Sequence, residues 1–76
     1  MLNYNKKLDV RTLSCLLPLL KVKRSMQYLQ QGDVLYVITD NNQSVQELNY
    51  FATFAGQNLI HFYKEGKDNH FYFIKN

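Results

Sequence analysis

Only one cysteine, one proline and three glycines occur in this chain of 76 residues, and tryptophan is absent. A lone cysteine, Cys15, excludes an internal disulfide, a CxxC redox pair and a zinc site built on several thiolates. No repeat, low-complexity tract or linker breaks the chain, so residues 1–76 read as a single domain. Charge of one sign is scarce too. Nine Lys and Arg face six Asp and Glu, a net +3, which is too little for nucleic acid to be inferred from charge alone. Residues 1–7 are polar, and the apolar run at 16–20 is interrupted by Pro18 and too short to span a bilayer. With no targeting segment to read, a reducing, cytoplasmic location is the expectation. A chain of this size also lacks the walls to enclose a large organic cofactor, so none is expected.

What is present is a compact-fold composition, 46% hydrophobic and 20% charged. Residues 8–11 alternate apolar and polar, a short strand with Leu8 and Val10 facing inward. Pro18 opens a helix, where its missing N–H costs nothing. Leu19, Leu20, Val22, Met26 and Leu29 form its apolar stripe, Lys21, Arg24 and Tyr28 share the other face, and Gly32 is the expected stop. Residues 34–39 are rich in β-branched side chains and read as a central strand. Ser44 and Glu47 have the spacing of a capping box. A second helix is expected over residues 45–55, burying Val45, Leu48, Phe51, Ala52 and Ala55 and stopped by Gly56. Residues 59–63 and 70–74 then form a hairpin around a turn at residues 65–69.

The order βαβαββ predicts an α/β (α+β) two-layer sandwich: a mixed four-stranded sheet with two helices on one face. In the hairpin, Ile60, Phe62, Phe71 and Phe73 would point at the helices. His61, Tyr63, His70 and Tyr72 would line the opposite, open face.

Cys15 is the one candidate reactive group. It follows a strand and precedes a helix start, where orphan N–H groups and the positive end of the helix dipole favour a thiolate over a thiol of ordinary pKa, about 8.5. Position alone leaves two readings open, a nucleophile and an inert buried cysteine. Other constellations are weaker. His61, His70 and Asp68 make a poor metal site, and nothing places either histidine beside Cys15. Tyr36, Tyr63 and Tyr72 could stack bases, although a plain partner surface is the simpler reading. Lys21, Lys23 and Arg24 form either a solvated helix face or a docking patch for an acidic protein partner or tRNA phosphate.

The stretch Leu8-Asp9-Val10-Arg11-Thr12-Leu13-Ser14-Cys15-Leu16-Leu17-Pro18-Leu19 resembles the signature of the TusA/SirA-like sulfur carriers, roughly Leu-Asp-x-x-Gly-Leu-x-Cys-Pro-x-Pro. The likeness continues through Gln31-Gly32-Asp33-Val34-Leu35, Thr39-Asp40 and Glu47-Leu48-x-x-Phe51, and so covers nearly the whole chain. It implies a sulfur carrier in which Cys15 accepts a persulfide sulfur from a cysteine desulfurase and relays it to a downstream acceptor protein. The tRNA wobble uridine is one final destination. On this reading Asp9, Arg11, Leu16 and Pro18 support the cysteine loop, and Lys21, Lys23 and Arg24 contact the partner. The carrier acts as a monomer, and direct tRNA contact ranks below protein partners. The alternative is a non-catalytic interaction module on the same scaffold. Thr12 and Leu16 stand where the family has glycine and proline, and Asn42 and Asn49 also replace family prolines. Thr12 would be strained if its position requires a positive φ, and Leu16 restores an N–H that proline lacks.

Overall fold

The computed structural model describes residues 3–13, 17–54 and 58–75. The elements run β1 (Lys6–Asp9), α1 (Leu17–Tyr28), β2 (Val34–Thr39), α2 (Asn42–Phe54), β3 (Asn58–Glu65) and β4 (Asp68–Ile74). The four strands form one sheet in the order β1-β2-β4-β3, with β1 parallel to β2 and both other pairings antiparallel. The crossovers β1-α1-β2 and β2-α2-β3 both step the same way across this sheet. Sharing one handedness, they place both helices on one face. The expected mixed two-layer architecture is therefore the observed one.

The core lies between that face and the helices. Val10, Leu35, Val37, Phe71 and Phe73 meet Val22 and Met26 of α1 and Leu48 and Phe51 of α2. Phe51 packs edge-on against Phe73 with centroids 6.0 Å apart. Period-2 alternation in β2 and β4 sends every second residue into this layer, which explains why central strands carry so much of it.

Several boundaries differ from the sequence expectation. β1 occupies residues 6–9 rather than 8–11, because the chain turns at Val10, where the Leu13 N–H donates to the Val10 carbonyl at 3.2 Å. α1 ends at Tyr28, so Gly32 is not its stop. Gly32, at φ 90°, sits instead in a separate turn closed by Asp33 N–H to Gln30 C=O at 2.9 Å. α2 starts earlier than expected, because Asn41 caps it. Its Oδ1 accepts from the backbone N–H groups of Gln43 at 2.8 Å and Ser44 at 3.4 Å. Ser44 therefore lies inside the helix with its hydroxyl buried and unpartnered, and the Ser44/Glu47 capping box does not form. Ala55 and Gly56 lie outside the described residues.

Leu20 is a further correction. At about 100° per residue it lies about 200° from Val22, on the face shared by Leu17, Lys21, Arg24 and Tyr28, and it is exposed. In the hairpin, the turn contracts to Gly66-Lys67 between the paired Glu65 and Asp68. A positive φ at Gly66 but not at Lys67 suits the type II′ turn. A bulge between Leu59 and His61 displaces Ile60 from the ladder. Leu59 packs on the core in its place, while Ile60 and Phe62 on the edge strand are half-exposed.

The second sheet face carries His61, Tyr63, His70 and Tyr72 as expected, yet it is not open. His70 is only 6% exposed and Tyr72 only 3%. Tyr63 stacks on His70 with centroids 4.3 Å apart, and Tyr36 stacks on Tyr72 at 4.6 Å. Tyr4 leans on Tyr36. The Tyr36 hydroxyl and His70 Nδ1 share a hydrogen bond of 2.7 Å. Burial pushes the phenols of Tyr36 and Tyr72 above their usual range. These rings shield one another and form a second, smaller apolar layer.

Candidate functional site

The corner between β1 and α1 is assembled by one ion-pair network. Arg11 grips Asp9 in a two-pronged contact, Nε to Oδ1 at 3.0 Å and Nη2 to Oδ2 at 2.7 Å. The Arg11 backbone N–H adds a third bond to Asp9 Oδ1 at 3.1 Å. Its Nη1 reaches Asp68 Oδ2, across the sheet at the start of β4, at 3.2 Å. The guanidinium bonds, joined by the backbone N–H, lower the Asp9 carboxyl from 3.8 to about 2. The same contacts raise Arg11 above its ordinary value.

Thr12 follows at φ 72°. A positive φ at the third residue of the Val10–Leu13 turn, with the first-to-fourth hydrogen bond, is type II geometry and favours glycine there. The Thr12 N–H donates to Asp40 Oδ1 at 3.3 Å, which ties the turn to the end of β2. Asp9, Arg11, Thr12, Asp40, Lys67 and Asp68 line a polar cleft of about 520 Å³.

On the far side of the corner, Leu17 begins α1 and Pro18 is fully buried in its first turn. Asp9, Arg11 and Pro18 thus stand at the two ends of the segment that carries the cysteine. Cys15 and Leu16 themselves lie outside the described residues. Lys21, Lys23 and Arg24 are exposed along α1. They line, with Lys6 and Leu8 of β1, a cleft between that strand and the helix. The hairpin register sets His61 against Tyr72 and His70 against Tyr63, so the two histidines are not partners. Among the described residues no cluster of three or more His, Cys, Asp or Glu side chains is arranged to hold a metal ion. No described helix is long and apolar enough to cross a membrane.

A comparison with protein families places the whole chain. The family described as Sulfurtransferase TusA matches residues 6–75. The chain belongs to the TusA sulfurtransferase family. It is 34% identical to the sulfur carrier protein TusA of Allochromatium vinosum over 93% of each chain. It is also 34% identical to a putative sulfur carrier protein of Neisseria meningitidis over 74% of this chain and 76% of that one. The crystal structure of a SirA-like protein from Desulfitobacterium hafniense shares the fold, with a TM-score of 0.79 and 21% identity over 92% of this chain and 96% of that one.

Within the TusA fold, two contacts of this corner had no local signal. Asp68 lies 57 residues from Arg11 and Asp40 lies 28 from Thr12, and only the closed sheet brings them together. The apolar side of the α1 cleft was legible in principle. Leu17, Leu20 and Tyr28 recur with Lys21 and Arg24 at helical spacing, but the neighbouring Leu19 and Val22 make Leu20 read as part of the core stripe.

Proposed function

We propose that Cys15 accepts a sulfane sulfur from a cysteine desulfurase and passes it to a downstream acceptor protein, with 2-thiouridine formation in tRNA as one destination. In loading, the Cys15 thiolate attacks the outer sulfur of the donor's persulfide. A new S–S bond forms at Cys15 as the donor's S–S bond breaks, and the donor cysteine leaves as its thiolate. Delivery repeats the exchange with the acceptor as nucleophile.

The supporting observation is that both flanks of the cysteine segment are anchored. Asp9, Arg11 and Asp68, with the Thr12–Asp40 bond, fix the turn on one side. Buried Pro18 fixes the first turn of α1 on the other. Cys15 stands two residues ahead of Leu17 in sequence, and a helix amino end favours a thiolate near it. The extended similarity to a protein named as a sulfur carrier supports the same reading. As the chain's single cysteine, Cys15 cannot discharge its persulfide into an internal disulfide, so the sulfur must leave to another molecule.

Asp9, Arg11 and Pro18 act as positioning residues in this scheme. Leu16 supplies a backbone N–H where the family's proline has none. Lys21, Lys23 and Arg24 meet the partner. The chain works as a cytoplasmic monomer, and no cofactor enters the exchange.

The test is sulfane-sulfur counting after incubation with a cysteine desulfurase and cysteine. Cyanide should release thiocyanate from the re-isolated wild type and none from Cys15→Ala. Wild type that releases none, under conditions that load another TusA-family carrier, overturns the proposal.

A further inference from the structure

We infer that the cleft between α1 and the free edge of β1 receives an acidic, apolar-anchored segment of a partner protein. The cleft has a volume of about 680 Å³. Its apolar surface comes from Leu8 and from three outward residues of α1, with Leu17 50%, Leu20 56% and Tyr28 77% exposed. Leu17 and Leu20 lie about one turn apart and Tyr28 about two turns further on, all on one side of α1 with Arg24 between, so the exposed apolar surface is grouped on one face rather than scattered. Around the strip stand Lys6, Lys21, Lys23 and Arg24, and no carboxylate is among the described lining residues.

This combination selects among occupants. Phosphate backbones are held by cations and gain nothing from leucine side chains. An anionic membrane also suits a basic amphipathic helix, but it meets a flat or convex surface, whereas here strand and helix enclose a concavity. A peptide segment with one or two apolar side chains for the strip and carboxylates for the rim satisfies both features. Exposed ion pairs are individually weak and screened by salt, so the apolar anchors supply most of the affinity and the charges supply orientation and encounter rate. β1 is an edge strand, so no other strand of the sheet occupies this side. Assigning the partner to sulfur donation or acceptance rests on the function proposed above, because Leu17 lies two positions after Cys15; the docking itself does not.

The experiment therefore uses Cys15→Ser protein, which cannot carry sulfur, and reads binding alone. The probe is a short fluorescent peptide of Glu and Asp residues bearing Leu and Phe anchors. Comparison probes are the same peptide with Gln and Asn for its acids, the same peptide with Ser for its anchors, a single-stranded RNA and anionic phospholipid vesicles. Expected is binding of the acidic anchored peptide that weakens as salt rises. Affinity should fall by about tenfold or more in Leu20→Ser and, separately, in Arg24→Glu. Gln46→Glu on exposed α2 surface should change nothing. Leu20 and Arg24 are exposed, so neither change threatens the fold. Absence of peptide binding, indifference to Leu20→Ser, or tighter binding of RNA or vesicles overturns the inference. Binding as expected by a chain that never yields thiocyanate in its wild-type form would retain the docking site and remove the sulfur role.

Discussion

Thr12 and Gly32 occupy the same place in two turns of the same geometry, at φ 72° and 90°. Only the glycine does so without cost, since a β-branched residue in this region is strained by about 1–3 kcal/mol. Glycine adds freedom to the unfolded chain worth about 0.5–1 kcal/mol. Thr12→Gly is therefore expected to stabilise the protein by about 1 kcal/mol, read from urea unfolding midpoints. A destabilised Thr12→Gly would show that the threonine makes compensating contacts. At this scale much of the corner was legible, because the resemblance to the sulfur-carrier signature singles out Asp9, Arg11, Thr12 and Pro18. Their distant partners were not, since nothing local to Arg11 announces Asp68. The carboxyl of Asp9 has a folded pKa of about 2 against 3.8 ordinarily. Its contribution is thus complete above pH about 4 and is lost as pH falls through about 2. Acid unfolding curves should show Asp9→Asn losing stability relative to wild type at neutral pH, with the gap closing at the acid end. A gap that stays constant across this window contradicts the role given to the Arg11 pairing.

At the scale of elements, sequence pattern identified every strand and helix but misplaced several ends. Cooperative choices between neighbours decide those ends. For α2, two caps compete three residues apart, and Asn41 captures the N–H of Ser44, which leaves the serine inside the helix. Asn41→Ala should cost about 1 kcal/mol. Ser44→Ala should be near neutral or stabilising, because it removes a buried hydroxyl that has no partner. Thermal unfolding of the two variants checks this ordering, and the reverse order would restore the capping box. The bulge at Ile60 is a similar case. Alternation in residues 59–63 reads equally well in either register, and the pairing of Leu59 with Phe73 settles it by packing a partly buried leucine against the core and leaving Ile60 outside the ladder. In α1, a run of leucines blurred two faces, and Leu20 belongs to the one that lines the cleft rather than to the core.

At the scale of the whole molecule, the fold divides labour between the two sides of its sheet. One side packs the helices over the main core. The other closes on itself through stacked tyrosines and histidines, so the face expected to be open carries only a modest exposed surface, chiefly His61, Tyr63 and Tyr4. The sulfur exchange and the partner docking proposed above both fall outside these two layers, at the β1–α1 corner and the adjoining cleft. The overall architecture was readable from element order because short crossovers of one hand permit few sheets. Burial on the second face was not readable, since it depends on which aromatic rings come to overlap across three strands. If sulfur travels on one atom of this chain, as proposed above, intact mass reads it directly. After incubation with cysteine desulfurase and cysteine, wild type should gain about 32 Da, the mass of one sulfur on a cysteine thiolate, and lose it again on exposure to an acceptor protein. Cys15→Ala should stay unchanged throughout. Wild type that gains no mass, or a Cys15→Ala chain that gains as much, would contradict the account.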